Sequence, residues 1–346
     1  MIYFAYPGDL NTPTGGYHYD RRLIEELRRI GVEVETVALP HCSSEPDQEA
    51  LASVQQILAA IPDQSVVVID GLAFGVLDEL AVAESQRLKL VALCHHPLAL
   101  ETGHSEKIKQ TLLDSERRAL SCAQATIVTS EHTRQILIDQ FAVPSEKILV
   151  ALPGTDRVPF APCDGEPIRL LSLASLTQRK AHDVLIDALA PLESLSWQAR
   201  FVGSKDFDPV WASSLEGRVR QLGLSQRIYF TGAVNDTQPE YQQADVFVLP
   251  SRFEGYGMVF AEALAAGLPV IAARSGAVSD VVPETAGLLV AADDTAALTE
   301  ALQQVLTNAA LRQRLQAGAR QAAATLPTWI DTATGVARKL EELSKV

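Results

Sequence analysis

The sequence predicts two doubly wound parallel α/β domains in tandem, and three observations carry that prediction. Apolar runs of strand length alternate with helix-period segments along the whole chain. The alternation stops once, at residues 157–167, where three prolines and little periodicity read as a linker, and then restarts. At 346 residues, 47% hydrophobic and 21% charged, the chain has material for two cores and is too apolar for disorder.

The elements follow in order. Met1 to Tyr6 (MIYFAY) reads as a short strand halted by Pro7-Gly8, not as a signal peptide. In a first domain, residues 1–156, strands are expected at 2–6, 32–38, 65–70, 88–94, 125–129 and 147–151, with helices at 17–30 and 107–121 among those between them. The linker leads to a second domain, residues 168–327. Its expected strands are 169–174, 198–202, 228–231, 246–250, 270–273 and 288–290, and its helices include 182–190, 208–222, 259–266 and 295–307. Residues 328–346 read as an amphipathic helix, and periodicity alone does not say which domain it covers. Two such sheets would bind ligands outside the carboxyl ends of their strands, facing each other across a cleft. No tandem repeat or low-complexity segment interrupts the pattern.

Composition narrows the function. A formal net charge of −14 argues against nucleic acid, which needs a basic face, and against electrostatic docking on an anionic membrane. No stretch is long and apolar enough to span a bilayer. The four cysteines (Cys42, Cys94, Cys122 and Cys163) have no metal-ligand spacing and read as packing residues in a reducing compartment, so a cytoplasmic location is expected.

The most informative stretch is DVFVLPSRFEGYGMVFAEALAAGLPVIAARSGAVSDVV, from Asp245 to Val282. Glu254 and Glu262 are separated by seven intervening residues across the turn Gly255-Tyr256-Gly257, between an apolar strand and an alanine-rich helix. A glycine turn opening a helix favours an anion, because unpaired N–H groups and the positive dipole end face outward together. A carboxylate further into the helix can accept two hydrogen bonds from a vicinal diol such as a ribose. Phosphate and sugar recognition side by side suggest a nucleotide sugar.

This stretch resembles the C-terminal signature of the retaining glycosyltransferases of family 4, which have the GT-B fold of two facing Rossmann-like domains. Their pattern reads roughly P-S-x-x-E-G-(F/Y)-G-(L/M)-V-x-x-E-A-(L/M)-A-x-G-x-P-V, and every fixed position is filled here, from Pro250 and Ser251 to Pro269 and Val270. The resemblance implies that Glu262 clamps the ribose and that Glu254 with Gly255, Tyr256, Gly257 and Met258 holds the sugar and phosphate of the donor. LSLASLTQRKAHDVLIDAL, beginning at Leu171, is similar to the family's V-G-R-L-x-x-R-K-G-H-D-x-L-I-x-A-L. By that match Lys180, with Arg179 beside it, meets the donor diphosphate. Ser175 stands where the family has its first arginine, so one expected phosphate cation is missing unless Arg179 replaces it. Near the N-terminus, Gly15-Gly16 precedes a helix where the family brings backbone to the donor phosphate or the acceptor. His95 ends an apolar strand where the family has a histidine next to the transferring sugar, with His96 a secondary candidate. Ser130 is a minor acceptor-side candidate. A domain-crossing C-terminal helix, residues 328–346, is also a family habit.

The catalytic set implied is therefore His95, Lys180 and Glu254. The implied activity is retaining, metal-independent transfer from a nucleotide sugar (UDP- or GDP-linked) to a hydroxyl-bearing acceptor, with no cofactor. Asp206-Phe207-Asp208 spells a D-x-D like that of metal-dependent glycosyltransferases of another fold, but it sits in a loop that varies among GT-B relatives and is expected to bind no metal. Gly255 to Phe260 begins like a dinucleotide fingerprint, with Phe260 where the third glycine would be. Two alternatives stand beside transfer: a nucleotide-sugar-binding protein that has lost catalysis, which Ser175 would favour, and a GT-B nucleotide-sugar epimerase. Base, sugar, acceptor and oligomeric state are not encoded in any readable pattern.

Overall fold

The computed structural model describes residues 1–41, 43–101 and 104–345. Among them the chain forms two compact units: Met1–Gly154 with Pro327–Val346, and Thr155–Leu326. Each is built on one six-stranded sheet whose paired strands are all parallel.

In the first unit the order along the chain is β1 (Ile2–Pro7), α1 (Gly15–Arg29), β2 (Val34–Leu39), α2 (Gln48–Ala59), β3 (Val66–Asp70), α3 (Gly71–Phe74), α4 (Asp78–Glu84), β4 (Lys89–Cys94), α5 (Glu106–Cys122), β5 (Ala125–Val128), α6 (Glu131–Phe141) and β6 (Ile148–Val150). The sheet runs β2-β1-β3-β4-β5-β6, so the winding reverses between β1 and β3. β3 and β4 are buried at every residue, as strands covered by helices on both faces must be. Alternate residues serve opposite faces: Val67, Ile69, Leu90 and Ala92 join one cluster with Leu112 of α5.

The second unit continues with β7 (Ile168–Leu173), α7 (His182–Leu189), β8 (Trp197–Val202), α8 (Pro209–Gln221), β9 (Ile228–Gly232), α9 (Gln238–Gln243), β10 (Val246–Leu249), α10 (Met258–Ala265), β11 (Val270–Ala273), α11 (Val278–Val281), β12 (Gly287–Val290), α12 (Thr295–Thr307) and α13 (Ala309–Ala323). Its sheet order is β12-β11-β10-β7-β8-β9, with the reversal between β7 and β10. Leu170 and Val248 face one core and Leu171 and Phe247 the other, so the sheet divides two apolar layers.

The last helix, α14 (Trp329–Lys345), belongs to the first unit, where it packs on α1 and β3. Trp329 anchors it, with its ring edge-on to Tyr19 at 5.6 Å, the Arg22 guanidinium 5.0 Å above it, and no room at Gly154 for any side chain. At the far end Lys89 Nζ donates to the Leu343 carbonyl at 3.1 Å.

Every strand expected from the sequence is present within two residues. The largest offset, at β2, has a local cause. Gly31 turns out of α1 with φ +92°, and the Val32 amide is spent on the Leu27 carbonyl at the helix exit, so pairing with β1 starts only at Val34. Cys94, Cys122 and Cys163 are free thiols, while Cys42 lies outside the described residues, as does Val346 at the end of the expected tail helix. No helix among the described residues is long and apolar enough to cross a membrane.

Candidate functional site

In an open α/β sheet, the crevice for ligands opens where the strand order reverses, beyond the carboxyl ends of the strands. In the second unit that point lies between the loop after β7 and the loop after β10. The first loop closes with a 3-10 turn, Gln178–Lys180, and the second runs up to Gly257, the cap of α10. A backbone bond from Arg252 N to Arg179 O, 2.8 Å, joins them. The Arg252 side chain ties the same junction from outside, reaching the Gln178 carbonyl and pairing with Asp183 at 2.9 Å and Asp293 at 2.7 Å.

The result is a cluster of Lys180, Arg179 and Glu254. Lys180 Nζ donates to Glu254 Oε1 at 2.6 Å. Arg179 Nη1 donates to the Phe253 carbonyl at 3.0 Å and lies 3.5 Å from Glu254 Oε2. Burial opposes the charge on Glu254, but Lys180 and then Arg179 outweigh it and hold the carboxyl below its ordinary range. The loop after β11 braces this group, with Ala277 N donating to Glu254 O at 3.0 Å. Gly276, at φ +55°, passes so close that a Cβ there would overlap the Glu254 carbonyl.

Gly257 opens α10 in the left-handed region at φ +86°, where a Cβ would strike the Phe260 ring. Gly255 and Met258 flank it and are half-buried, while Tyr256 is buried. One turn into α10, Glu262 accepts a 2.8 Å hydrogen bond on Oε2 from the Tyr241 hydroxyl of α9. Tyr241 is buried, and burial and the Glu262 charge both push its ionisation far up, so it stays a donor. Ala181, φ +52°, takes the left-handed conformation at the place where the pattern quoted above has glycine.

Asp206 and Asp208 do not converge. Asp206 bonds Ser204 at 3.1 Å, and Asp208 caps α8 by accepting from Trp211 N at 3.0 Å. Ser175 does not reach Glu254 in any hydrogen bond, and Arg179 is the second cation at that carboxylate.

In the first unit, His95 leaves the end of β4 and meets two carboxylates. Its Nε2 lies 2.9 Å from Asp20 Oδ1 and 3.6 Å from Asp70 Oδ2. Asp20 comes from α1, one turn beyond Gly16, and the His95 ring packs so closely on Gly16 that a Cβ there would sit 3.3 Å from Cδ2. Gly15 and Gly16 form the first turn of α1, whose free N–H groups Thr14 caps in part through Tyr17 N at 3.4 Å. Asp70 is fixed from its other oxygen, which accepts from Leu72 N at 2.7 Å. These three residues are the one grouping among the described residues whose ligand-type atoms all approach within 4.8 Å. His96 is half-buried beside them. Ser130 is used as the cap of α6, accepting from Thr133 N at 3.0 Å and donating to Thr133 Oγ1 at 2.9 Å.

Under the turn that follows His95-His96-Pro97, Glu116 of α5 accepts Leu98 N and Ala99 N, both at 2.8 Å. Burial pushes its carboxyl up to about 7 against the pull of those two amides. A carboxyl whose native value is raised binds extra protons in the folded state. Stability from Glu116 is thus complete below about 4.5 and declines as pH rises through about 7. We expect Glu116→Gln to flatten this decline in denaturation midpoints measured from pH 4.5 to 8.

Asp20, Asp70, Tyr241, Arg252 and Glu116 were not candidates from sequence. Asp20 carried one usable signal, its spacing of four from Gly16 on a helix. Tyr241 and Arg252 act through long-range contacts that no local spacing displays.

A family model described as "Glycosyltransferase Family 4" matches residues 15–157, and one described as "Glycosyl transferases group 1" matches residues 167–308, so that the two span most of the chain. Among curated relatives, the D-inositol 3-phosphate glycosyltransferase of Stackebrandtia nassauensis is 30% identical over 247 residues, 64% of this chain and 55% of that protein. The chain thus spans little more than half the length of that relative. Among solved structures, the sucrose-phosphate synthase of Thermosynechococcus elongatus superposes with a TM-score of 0.81 at 23% identity, covering 99% of both chains. HepE of Anabaena, solved in complex with UDP-glucose, gives 0.80 at 19% identity, covering 99% of this chain and 100% of that one. With its two parallel sheets and both family models in place, this chain belongs to glycosyltransferase family 4 and has the GT-B fold.

Proposed function

We propose that this protein is a retaining, metal-independent glycosyltransferase that moves a sugar from a UDP- or GDP-sugar to a hydroxyl-bearing acceptor. The observation that carries the reading is the convergence of Lys180 and Arg179 on Glu254 at the switch point of the second sheet, next to the glycine-opened helix that bears Glu262. A departing nucleoside diphosphate gathers negative charge. Cations already held in position stabilise it without reorganisation, which is the work a metal ion would otherwise do. Glu254 keeps both cations in place and retains lone pairs for sugar hydroxyls. Glu262, oriented by Tyr241, receives the ribose diol.

Retention follows from attack on the face that the leaving group vacates, with a phosphate oxygen taking the acceptor proton and no carboxylate nucleophile needed. The UDP-glucose complex of HepE supports a nucleotide-sugar donor. Ser175 supports a second reading, a donor-binding protein without turnover.

The test is nucleoside diphosphate release from UDP- and GDP-sugars across a panel of hydroxyl acceptors in EDTA, with product configuration read by NMR. Acceptor-dependent release with the donor's anomeric configuration kept is expected. Donor binding without release would establish the second reading, and an inverted product would end the claim of retention.

A further inference from the structure

The His95 cluster holds more acid than one imidazole can neutralise. Asp20 is fully buried and Asp70 is 1% exposed, yet Asp20 Oδ2 and Asp70 Oδ2 have no hydrogen-bond partner as simple carboxylates. Ligand-type atoms of Asp20, Asp70 and His95 all lie within 4.8 Å of one another, and both carboxylates face His95 Nε2. Two buried carboxylates this close, with a single cation beside them, disfavour each other's charge, so that one of them holds a proton.

We propose that this cluster carries two protons, one shared by Asp20 and Asp70 and one on His95, so that the pair acts as a positioning device that keeps His95 a permanent imidazolium. The bookkeeping then closes: one negative charge over the two aspartates, one positive charge on the ring, and one O–H···O hydrogen bond in which one orphaned oxygen donates and the other accepts. Burial pulls the His95 ring towards neutrality, but the charge and hydrogen bonds of Asp20 and Asp70 reverse this and carry it up to about 10. Burial, then the Asp70 charge, raises Asp20. Two further titratable groups at the ring, Tyr19 and Cys94, add no charge. Tyr19 of α1 stands edge-on at 5.2 Å, and burial drives its ionisation far up while its hydroxyl donates to the Ala151 carbonyl at 2.9 Å. Cys94, the preceding residue on β4, is held as a neutral thiol by burial.

The consequence, which rests on the glycosyl-transfer reading, is that His95 serves as a hydrogen-bond donor and fixed charge and never as a general base. With Nε2 committed to the aspartates, Nδ1 is the nitrogen left for an oxygen of substrate. The side chain is 21% exposed, enough for that contact.

The arrangement makes a non-additive prediction. Removing either carboxylate still leaves one aspartate and one imidazolium, a neutral pair. Removing both leaves a buried ring with no counter-charge. The experiment is an NMR titration of the His95 ring in the full-length protein, assigned by difference with His95→Gln, for wild type, Asp20→Asn, Asp70→Asn and the double variant. We expect His95 to remain protonated through pH 8 in wild type and in both single variants. In the double variant its midpoint should fall below the ordinary value of about 6.5. An ordinary or lower midpoint in wild type would overturn the proposal, as would a collapse in either single variant equal to that of the double. A change in the His95 signals on adding one equivalent of Zn²⁺ or Mn²⁺ would also overturn it, in favour of a metal centre. The titration needs no turnover, so its failure is distinguishable from failure of the transferase reading.

Discussion

Lys180→Met is expected to lower kcat on the order of 10²–10³-fold, the usual effect of deleting one preorganised group that stabilises transition-state charge. It should also destabilise the protein, because Glu254 is 5% exposed and would keep Arg179, at the longer distance of 3.5 Å, as its cation. Stranding a buried charge in this way costs about 3–5 kcal/mol. The two effects separate in the double variant Lys180→Met/Glu254→Gln, which should recover most of the stability in a denaturant titration and none of the turnover. A double variant as active as wild type would remove both residues from the chemistry.

Trp329→Ala is expected to cost about 3–5 kcal/mol, the range for emptying a buried aromatic site. Trp329 is 4% exposed, and it is the contact through which α14 meets Tyr19, Arg22 and Gly154. The cavity cannot collapse easily, because α14 is also held by Thr332, whose hydroxyl donates to the Leu152 carbonyl at 2.7 Å. Differential calorimetry should show the loss. A change below about 1 kcal/mol, the scale of a surface substitution, would mean that α14 is anchored elsewhere.

The fold was legible because it is written in periods. A strand such as VVVID, Val66–Asp70, buried at every position, can only be the centre of a covered parallel sheet, and the Pro-rich stop at residues 157–167 separates two such series. Helices without a distinct apolar stripe were harder. α13 (AALRQRLQAGARQAA) is mostly alanine, glutamine and arginine; it packs on α10, sharing that core layer through Ala319, while Leu315 enters the other layer and Gly318 lies against the Thr285 carbonyl. The placement of α14 was undecidable locally, since one amphipathic helix fits either sheet equally well.

For the site, a long contiguous signature put Glu254, the Gly255–Gly257 turn and Glu262 on the page at once. What the sequence left hidden was partnership. Tyr241 and Glu262 are 21 residues apart, Lys180 and Glu254 are 74, and His95 and Asp20 are 75. Such pairs exist only after the strand order has brought their loops to the same end of a sheet. Charge state was equally hidden, because an aspartate shows its proton only when its neighbours are known.

On the proposed function, the switch point of the second sheet receives a nucleoside diphosphate. The most direct test of this is calorimetric titration of the protein with UDP, GDP and ADP in EDTA, repeated with Glu262→Ala. Saturable binding of UDP or GDP without metal is expected. The variant should lose about 10–100-fold in affinity, as fits hydrogen bonds to a charged group worth about 1.5–3 kcal/mol. If none of the three binds wild type at millimolar concentration, or if Glu262→Ala binds as tightly as wild type, the assignment of this site to the donor is wrong.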